Sequence, residues 1–271
     1  MKTTQEYVRK IMQRWGLSSA GRGFSTGSSY IQPVLYNGKE GILKVPYCAE
    51  EKRGSRLLNW WDGCHAAQVY KMDDNAVLME DIKGDVSLKS LSMEGRDDEA
   101  TEIICDVTAS LHAYCNGEPP ELVALDVWFS DLFIFAGKFG DTFSKAASVA
   151  RELLNNQVES TVLHGDIHHG NILHSAERGW LVIDPKGLFG DRAFDYVNIL
   201  CNPSETVALA NGRFTKRIEI ISSLSGIPKD RLLRWTSAWS ALSAVWLLND
   251  GMGGADLRIS ILEKALAEIP K

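Results

Sequence analysis

The sequence predicts an α+β protein in two lobes, a small antiparallel β-sheet lobe over residues 1–82 and a mainly helical lobe over 83–271. Three observations predict this. Short runs rich in β-branched and aromatic residues, punctuated by turn pairs, crowd the region before Asp81. Beyond Gly84, apolar residues recur at three- and four-residue steps, the period of a helix with one buried face. Inside the helical part, two strand candidates bracket a polar loop at 164–171.

Val8, Ile11, Met12 and Trp15 fall at helical spacing and stop at Gly16, which suits a left-handed cap. A loop, Gly21 to Ser29, then leads into the strand-like Tyr30 to Tyr36 and Gly41 to Val45, with Asn37-Gly38 as the hairpin turn. A helix is expected near Glu50 to Trp61, and strands at Ala67 to Tyr70 and Ala76 to Met79 across a charged turn, Lys71 to Asn75. Leu78-Met79-Glu80-Asp81-Ile82 follows as a hinge, centred near 80–84. Ala100, Ile103, Ile104, Val107, Leu111 and Tyr114 mark a helix beginning after Asp97-Asp98, acidic residues that favour a helix N-terminus. Further helices are expected at Phe143 to Asn155, Thr215 to Leu224, Arg231 to Leu248 and Asp256 to Ile269.

The 271 residues, 45% of them hydrophobic, suffice for a real core. A net charge of −6 argues against a nucleic-acid partner and suits a cationic one. The longest apolar stretch, Trp235 to Leu248, is interrupted by Ser237, Ser240 and Ser243 and reads as a buried helix, not a membrane span. The N-terminus carries Arg9, Lys10 and Arg14 without an apolar secretory core, so a cytoplasmic protein is expected. Cys48, Cys64, Cys105, Cys115 and Cys201 show no Cys-x-x-Cys pair and read as reduced packing residues. His164, His168 and His169 have no companion cluster at zinc-ligand spacing.

The chemistry concentrates in His164-Gly165-Asp166-Ile167-His168-His169-Gly170-Asn171 and in Leu181-Val182-Ile183-Asp184-Pro185. Turn formers alone would explain any one of these pairs, but the order Asp, Asn, Asp across a loop and a following strand suits phosphoryl transfer. Asp166 would orient and deprotonate an attacking hydroxyl, while Asn171 and Asp184 would hold Mg²⁺ on the phosphates of ATP. The Gly- and Ser-rich loop, with Ser25, Thr26, Gly27 and Ser28, is placed to cover those phosphates, although its spacing departs from Gly-x-Gly-x-x-Gly. Lys44 stands alone in the apolar run Ile42 to Val45; it either faces solvent from a half-buried strand or meets an anionic partner. Glu51, with Glu50 second, would fix that lysine, which requires a short loop before the helix. Glu80 and Ile82 in the hinge would meet the adenine through backbone and apolar groups.

These two stretches, with Arg178-Gly179-Trp180 before the second and Lys186-Gly187-Leu188 after it, resemble the aminoglycoside phosphotransferase family. The likeness is greatest to its streptomycin 6-phosphotransferase and hydroxyurea-kinase branch and extends through Arg231-Leu232-Leu233 and Leu242 to Trp246. The resemblance implies a protein-kinase-like fold and ATP-dependent phosphorylation of a hydroxyl of streptomycin, at position 6, giving resistance. It carries Asp166 over as catalytic base and Asn171 and Asp184 as magnesium ligands, with Lys44 and Glu51 at the nucleotide. Hydroxyurea or a small metabolite alcohol is the alternative acceptor, and a monomer is expected. A guanidinium-bearing sugar would be held by carboxylates and aromatic faces. Asp191, Asp195, Asp250 and Asp256 are available, with Trp235, Trp239 and Trp246 nearby. Yet the tryptophans also fit a core stripe, Asp195 could brace the catalytic loop, and Asp191 could cap a helix. Lys186 is a cation that could sit near the phosphates or oppose a cationic acceptor.

Overall fold

The computed structural model describes residues 2–114 and 116–270; Cys115, grouped above with the packing cysteines, lies outside the described residues. In chain order the elements are α1 (Lys2–Trp15), β1 (Ser18–Ser19), β2 (Phe24–Ser25), β3 (Ser29–Tyr36), β4 (Lys39–Pro46), α2 (Ala49–Trp60), β5 (Val69–Asp73) and β6 (Ala76–Glu80). There follow α3 (Leu88–Met93), α4 (Asp97–His112), β7 (Val123–Ala124), α5 (Leu125–Trp128), α6 (Ser130–Phe135), α7 (Asp141–Asn155), β8 (Ser160–Leu163), β9 (Ile172–Ser175), β10 (Gly179–Val182) and β11 (Leu188–Asp191). The chain ends with α8 (Glu205–Ala208), α9 (Arg213–Ser225), α10 (Lys229–Asn249) and α11 (Ala255–Glu268).

The first compact unit comprises 1–85, 114–121 and 173–187. Its antiparallel sheet runs β1-β3-β4-β6-β5, with β2 also on β3. The period-2 alternation of strands sends successive side chains to opposite faces. Val34, Leu43, Val45, Ala76 and Leu78 pack against Val8, Ile11 and Trp15 of α1. The interleaved Ile31, Ile42, Lys44, Val77 and Met79 therefore point to the other face. Gly16, at φ +69°, ends α1 in the left-handed conformation that glycine adopts without steric penalty.

Two sequence boundaries shift. β5 reaches Asp73, so the turn expected over 71–75 shrinks to its last residues. The division at residue 82 also differs from the compact units, because 173–187 joins the first. Backbone pairing explains this: Ala67 N–H donates to Val182 O at 2.9 Å, and Val182 N–H to His65 O at 2.9 Å. At the hinge, a Cβ on Gly84 would stand 2.0 Å from the carbonyl oxygen of His174, an approach that only glycine permits.

The second unit comprises 86–113, 122–172 and 188–271. The helix α10 is buried on every side from Trp235 to Val245, as an almost uninterrupted apolar and small-residue run requires. Thr236 Oγ1 donates to Leu232 O at 2.6 Å and Ser237 Oγ to Arg234 O at 2.8 Å, so these two buried hydroxyls are satisfied within the helix, while Ser240 Oγ lies 3.6 Å from Cys201 Sγ. A three-stranded sheet in the order β7-β11-β8 sets Leu188 opposite Leu163, immediately before the polar loop. Among the described residues no helix is long and apolar enough to cross a membrane. Cys105 and Cys201 are buried, but Cys48 and Cys64 are exposed, which corrects their reading as packing residues.

Candidate active site

In the first unit, Lys44 projects from β4 onto the face away from α1 and is only 7% exposed. Its ammonium forms ion pairs with both Glu51 and Asp184, the anionic partners that a buried lysine requires. Only Tyr47 and Cys48 separate β4 from α2, which is the short loop that the Lys44–Glu51 pairing demanded. Glu51 lies in the first turn of α2, where the helix dipole favours a carboxylate. It also accepts from Ser29 Oγ at 3.3 Å, and Lys186 Nζ reaches it at 3.3 Å and Glu50 at 3.2 Å. Lys186 therefore faces the acids of α2.

Asp184 arrives by a close backbone approach. A Cβ on Gly54 would fall 1.8 Å from Pro185 O, so the glycine inside α2 is what lets the Asp184-Pro185 segment lie against the helix. Arg53 Nε donates to Lys186 O at 3.0 Å and Gly187 O at 3.1 Å, fastening the same segment. Asp184 itself has φ +62°, in the left-handed region that aspartate tolerates better than most residues.

Lys44 and Asp184 line a cavity of about 230 Å³ whose other walls are mainly apolar, including Ile31, Ile42, Leu58, Met79 and Ile183. Thr26 and Ser28 line it as well, as do Glu80 and Ile82. Ser25 and Gly27 do not. Ser25 lies in β2 with its hydroxyl 3.0 Å from that of Tyr47. Thr26 shapes the turn: its hydroxyl accepts from Ser28 N at 3.3 Å and Ser29 N at 3.0 Å. Arg178 Nη1 donates to both carboxylate oxygens of Glu80 at 2.6 Å, which ties that side chain to Arg178.

In the second unit, the loop after β8 is organised by Asp195. Its carboxylate accepts from His164 N at 2.9 Å, Gly165 N at 2.7 Å and His112 Nε2 at 3.0 Å. Gly165 turns the chain at φ +84°. The next residue, Asp166, accepts from Asn171 Nδ2 through its backbone oxygen at 2.9 Å and through Oδ2 at 3.2 Å. Asp166 Oδ1 accepts from Asn198 Nδ2 at 2.8 Å. His168 Nδ1 accepts Gly170 N–H at 2.9 Å, so this histidine shapes the loop.

Two of the four acids assigned to an acceptor are corrected. Asp195 is buried, with its oxygens on the loop just described. Asp191 is buried as well, accepting from Ala193 N at 2.9 Å and Val158 N at 3.1 Å and pairing with Arg231. Neither presents a carboxylate to a ligand. Asp250 and Asp256, at the end of α10 and the start of α11, are exposed. Trp235 and Trp239 are buried, and Trp246 donates its Nε1–H to Asp131 Oδ2 at 2.8 Å.

Among the described residues no group of three or more His, Cys, Asp and Glu could hold a metal ion. Each unit by itself offers one hard oxygen donor from the residues singled out in the sequence as magnesium ligands, Asn171 in the second and Asp184 in the first. The amide nitrogen of Asn171 is engaged by Asp166, which leaves its carbonyl oxygen as the ligating end, and the Asp184 side chain is 39% exposed beside the cavity. Such donors fit Mg²⁺, which keeps several waters and takes its remaining ligands from phosphates.

Comparison with known proteins decides the family. Residues 14–251 match the model for aminoglycoside/hydroxyurea antibiotic resistance kinases. The chain belongs to that family. It is 43% identical over 267 residues to streptomycin 3''-kinase of Klebsiella pneumoniae, covering 95% of this chain and 100% of that protein. Streptomycin 6-kinase of Streptomyces glaucescens is 25% identical over 279 residues, with coverage of 96% and 88%. Among solved structures, aminoglycoside phosphotransferase APH(4)-Ia in ternary complex with ADP and hygromycin B superposes with a TM-score of 0.67 at 15% identity, covering 96% of each chain. The fold is protein-kinase-like. The residues around these carboxylates that sequence reasoning did not single out are Gly54 and Asn198. Only Gly54, a glycine inside a helical pattern, carried a local signal.

Proposed function

We propose that this protein transfers the γ-phosphoryl group of ATP to a hydroxyl of streptomycin, at the 3'' position, and thereby confers resistance. The observation that carries the phosphoryl-transfer reading is Lys44, buried between Glu51 and Asp184 beside an apolar cavity. A fixed ammonium there suits the α- and β-phosphates, with the adenine among Ile31, Ile42 and Met79 and against the backbone of Glu80 to Ile82. Asn171 and Asp184 would hold Mg²⁺, which when bound neutralises charge on the phosphates. Asp166 orients the acceptor hydroxyl and takes its proton as the new O–P bond forms and the bond to the departing ADP breaks. Little covalent chemistry is asked of the side chains; the rate comes from positioning and preorganised charge.

The choice of 3'' over 6 is supported by the 43% identity to the 3''-kinase over its whole length, against 25% to the 6-kinase. Asp250 and Asp256 remain the exposed acids for a cationic acceptor. The same reading takes the enzyme to work in the cytoplasm, where ATP is supplied, and as a monomer.

The test is Mg²⁺-dependent ADP release with streptomycin, a 2-deoxystreptamine aminoglycoside, hydroxyurea, choline and no acceptor, with Asp166→Asn as blank. The phosphorylated carbon is then located by phosphorus–proton correlation NMR. Turnover with streptomycin and phosphate at 3'' is expected. Phosphate at 6 would overturn the positional assignment, and turnover with hydroxyurea or choline alone would overturn the acceptor. Asp166→Asn should retain ATP affinity and lose about 10³-fold in kcat; equal loss of both would remove Asp166 from the base role.

A further inference from the structure

Nothing in the motifs around Asp166 mentions the groups that hold its carboxylate on the side away from Asn171. Asn198, in the 3-10 turn Asn198–Cys201, donates Nδ2–H to Asp166 Oδ1 at 2.8 Å. Its carbonyl Oδ1 accepts from Trp239 Nε1 at 3.1 Å and from Asn202 Nδ2 at 3.2 Å. Asn202 Nδ2 also donates to Asn198 O at 2.9 Å, tying the side chain's surroundings to its own backbone.

The chemistry of these partners makes the arrangement directional. An indole N–H can only donate, and an ionised carboxylate can only accept. Asn198 therefore has one allowed orientation, oxygen toward Trp239 and nitrogen toward Asp166. A flip would set N–H against N–H at one end and oxygen against oxygen at the other. Trp239 in turn is 6% exposed and wedged among aromatic rings, with centroids 5.5 Å from Phe194 and 5.7 Å from Trp246. Its indole cannot swing without displacing that stack.

We propose that Asn198, oriented by Trp239, is a positioning residue that fixes the rotamer of the Asp166 carboxylate for phosphoryl transfer. Asn171 cannot do this alone. Its single amide nitrogen is shared between the backbone and the side chain of Asp166, and its oxygen is the end assigned to metal. Asn198 and Trp239 have no such divided role. The two amides bracket the carboxylate, one on each oxygen, so that its plane is set before an acceptor arrives. The buried aromatic stripe of α10 thereby acquires a function: it is the rigid wall from which the base is aimed.

This inference rests on the phosphotransferase reading for its kinetic arm only. Trp239→Phe removes one N–H and keeps a ring in the stack; Asn198→Ala removes the clamp outright. Expected for Trp239→Phe is a fall in kcat of about 3–10-fold, and for Asn198→Ala about 10–100-fold. The KM values for ATP and acceptor should stay within about twofold, because neither residue is assigned a contact with them. The spectroscopic arm needs no turnover. In ¹⁵N-labelled protein the Asn198 side-chain NH₂ signal should shift on Asp166→Asn and on Trp239→Phe, and the Trp239 indole signal should shift on Asn198→Ala. Unchanged kcat in Trp239→Phe, or kcat and KM changing together in step with a lowered Tm, would overturn the proposal by reducing it to packing. Wild-type protein without turnover on any acceptor would overturn the streptomycin reading, leaving the resonance shifts to decide the clamp. Should Asn198→Ala fail to fold, Trp239→Phe decides alone.

Discussion

Lys44 in the first unit and Arg217 in the second are both cations buried among carboxylates, at 7% and 0% exposure, and they differ in what their partners leave over. Arg217 is saturated. Its Nε and Nη2 donate to Asp97 at 2.8 and 2.5 Å, and Nη1 donates to Ile199 O and Asn202 O at 2.6 Å each. Arg213 closes the other side of Asp97 at 3.1 Å. Burial pushes the Asp97 carboxyl up, but the hydrogen bonds and charge of Arg217, helped by Arg213, outweigh it and hold Asp97 below its ordinary value. Lys44, by contrast, sits between two carboxylates, one of which opens onto a cavity. A buried arginine whose Nε, Nη1 and Nη2 are all engaged stabilises a fold; a cation with charge facing a cavity is ready for a ligand.

The comparison breaks first at Arg217. Arg217→Met should destabilise by about 3–5 kcal/mol, because it leaves Asp97 buried and two backbone carbonyls without their donor. Urea unfolding measures it, and the double variant Asp97→Leu with Arg217→Met should recover part of the loss. A change under about 1 kcal/mol would mean that Asp97 finds solvent and the cluster is not sealed.

Lys44→Met is the counterpart. It should lower kcat/KM by about 10²–10³-fold while leaving urea stability within about 1 kcal/mol, since Glu51 retains Lys186 and Ser29 and Asp184 turns to the cavity. Large destabilisation with modest kinetic loss would make Lys44 another Arg217. Glu51→Gln sharpens the same point with a smaller effect, about 10-fold in kcat, because it loosens the lysine without removing it.

The difference between the clusters also explains what the sequence disclosed. Lys44 was legible because a lone cation in an apolar strand is a local anomaly, and Asp166, Asn171 and Asp184 because their spacing is set within one loop and one strand. Asp195 and Asp191 carried the same letters as substrate acids, and their bonds to His164, Gly165 and Ala193 decide for the alternatives the sequence left open, a brace for the loop and a cap for a helical turn. Asn198 and Trp239 were hidden for another reason. Their partners lie 32 and 41 residues away, and a neutral amide on a short turn has no pattern of its own. The long helices and main strands followed from periodicity, but the short α3, α5, α6 and α8 did not, and the return of 173–187 to the first unit depended on backbone pairing with 65–67, which side-chain pattern does not encode.

The saturated cluster has one further member. His169 is 3% exposed and stands 3.9 Å from Asp97. Burial chiefly, and the charge of Arg217 after it, lower its pKa from 6.5 to about 3, although Asp97 pulls the other way. Above pH 6.5 the ring is neutral in both folded and unfolded chains and contributes no pH dependence. Between 6.5 and 3 the unfolded chain binds a proton that the folded one refuses, so stability falls with falling pH, by about 2 kcal/mol at pH 5. His169→Gln removes the titrating group, and its urea-unfolding free energy should drop less between pH 7.5 and pH 5 than that of the wild type by this amount. Equal drops would show that His169 accepts the proton in the folded state and that Asp97 has capacity to spare for a third cation. That outcome would open the cluster and bring it closer to the one around Lys44. Arg217 takes both oxygens of Asp97 and Arg213 approaches from the other side, so an imidazolium at His169 would meet burial and the charge of Arg217 with only the 3.9 Å approach of Asp97 in its favour.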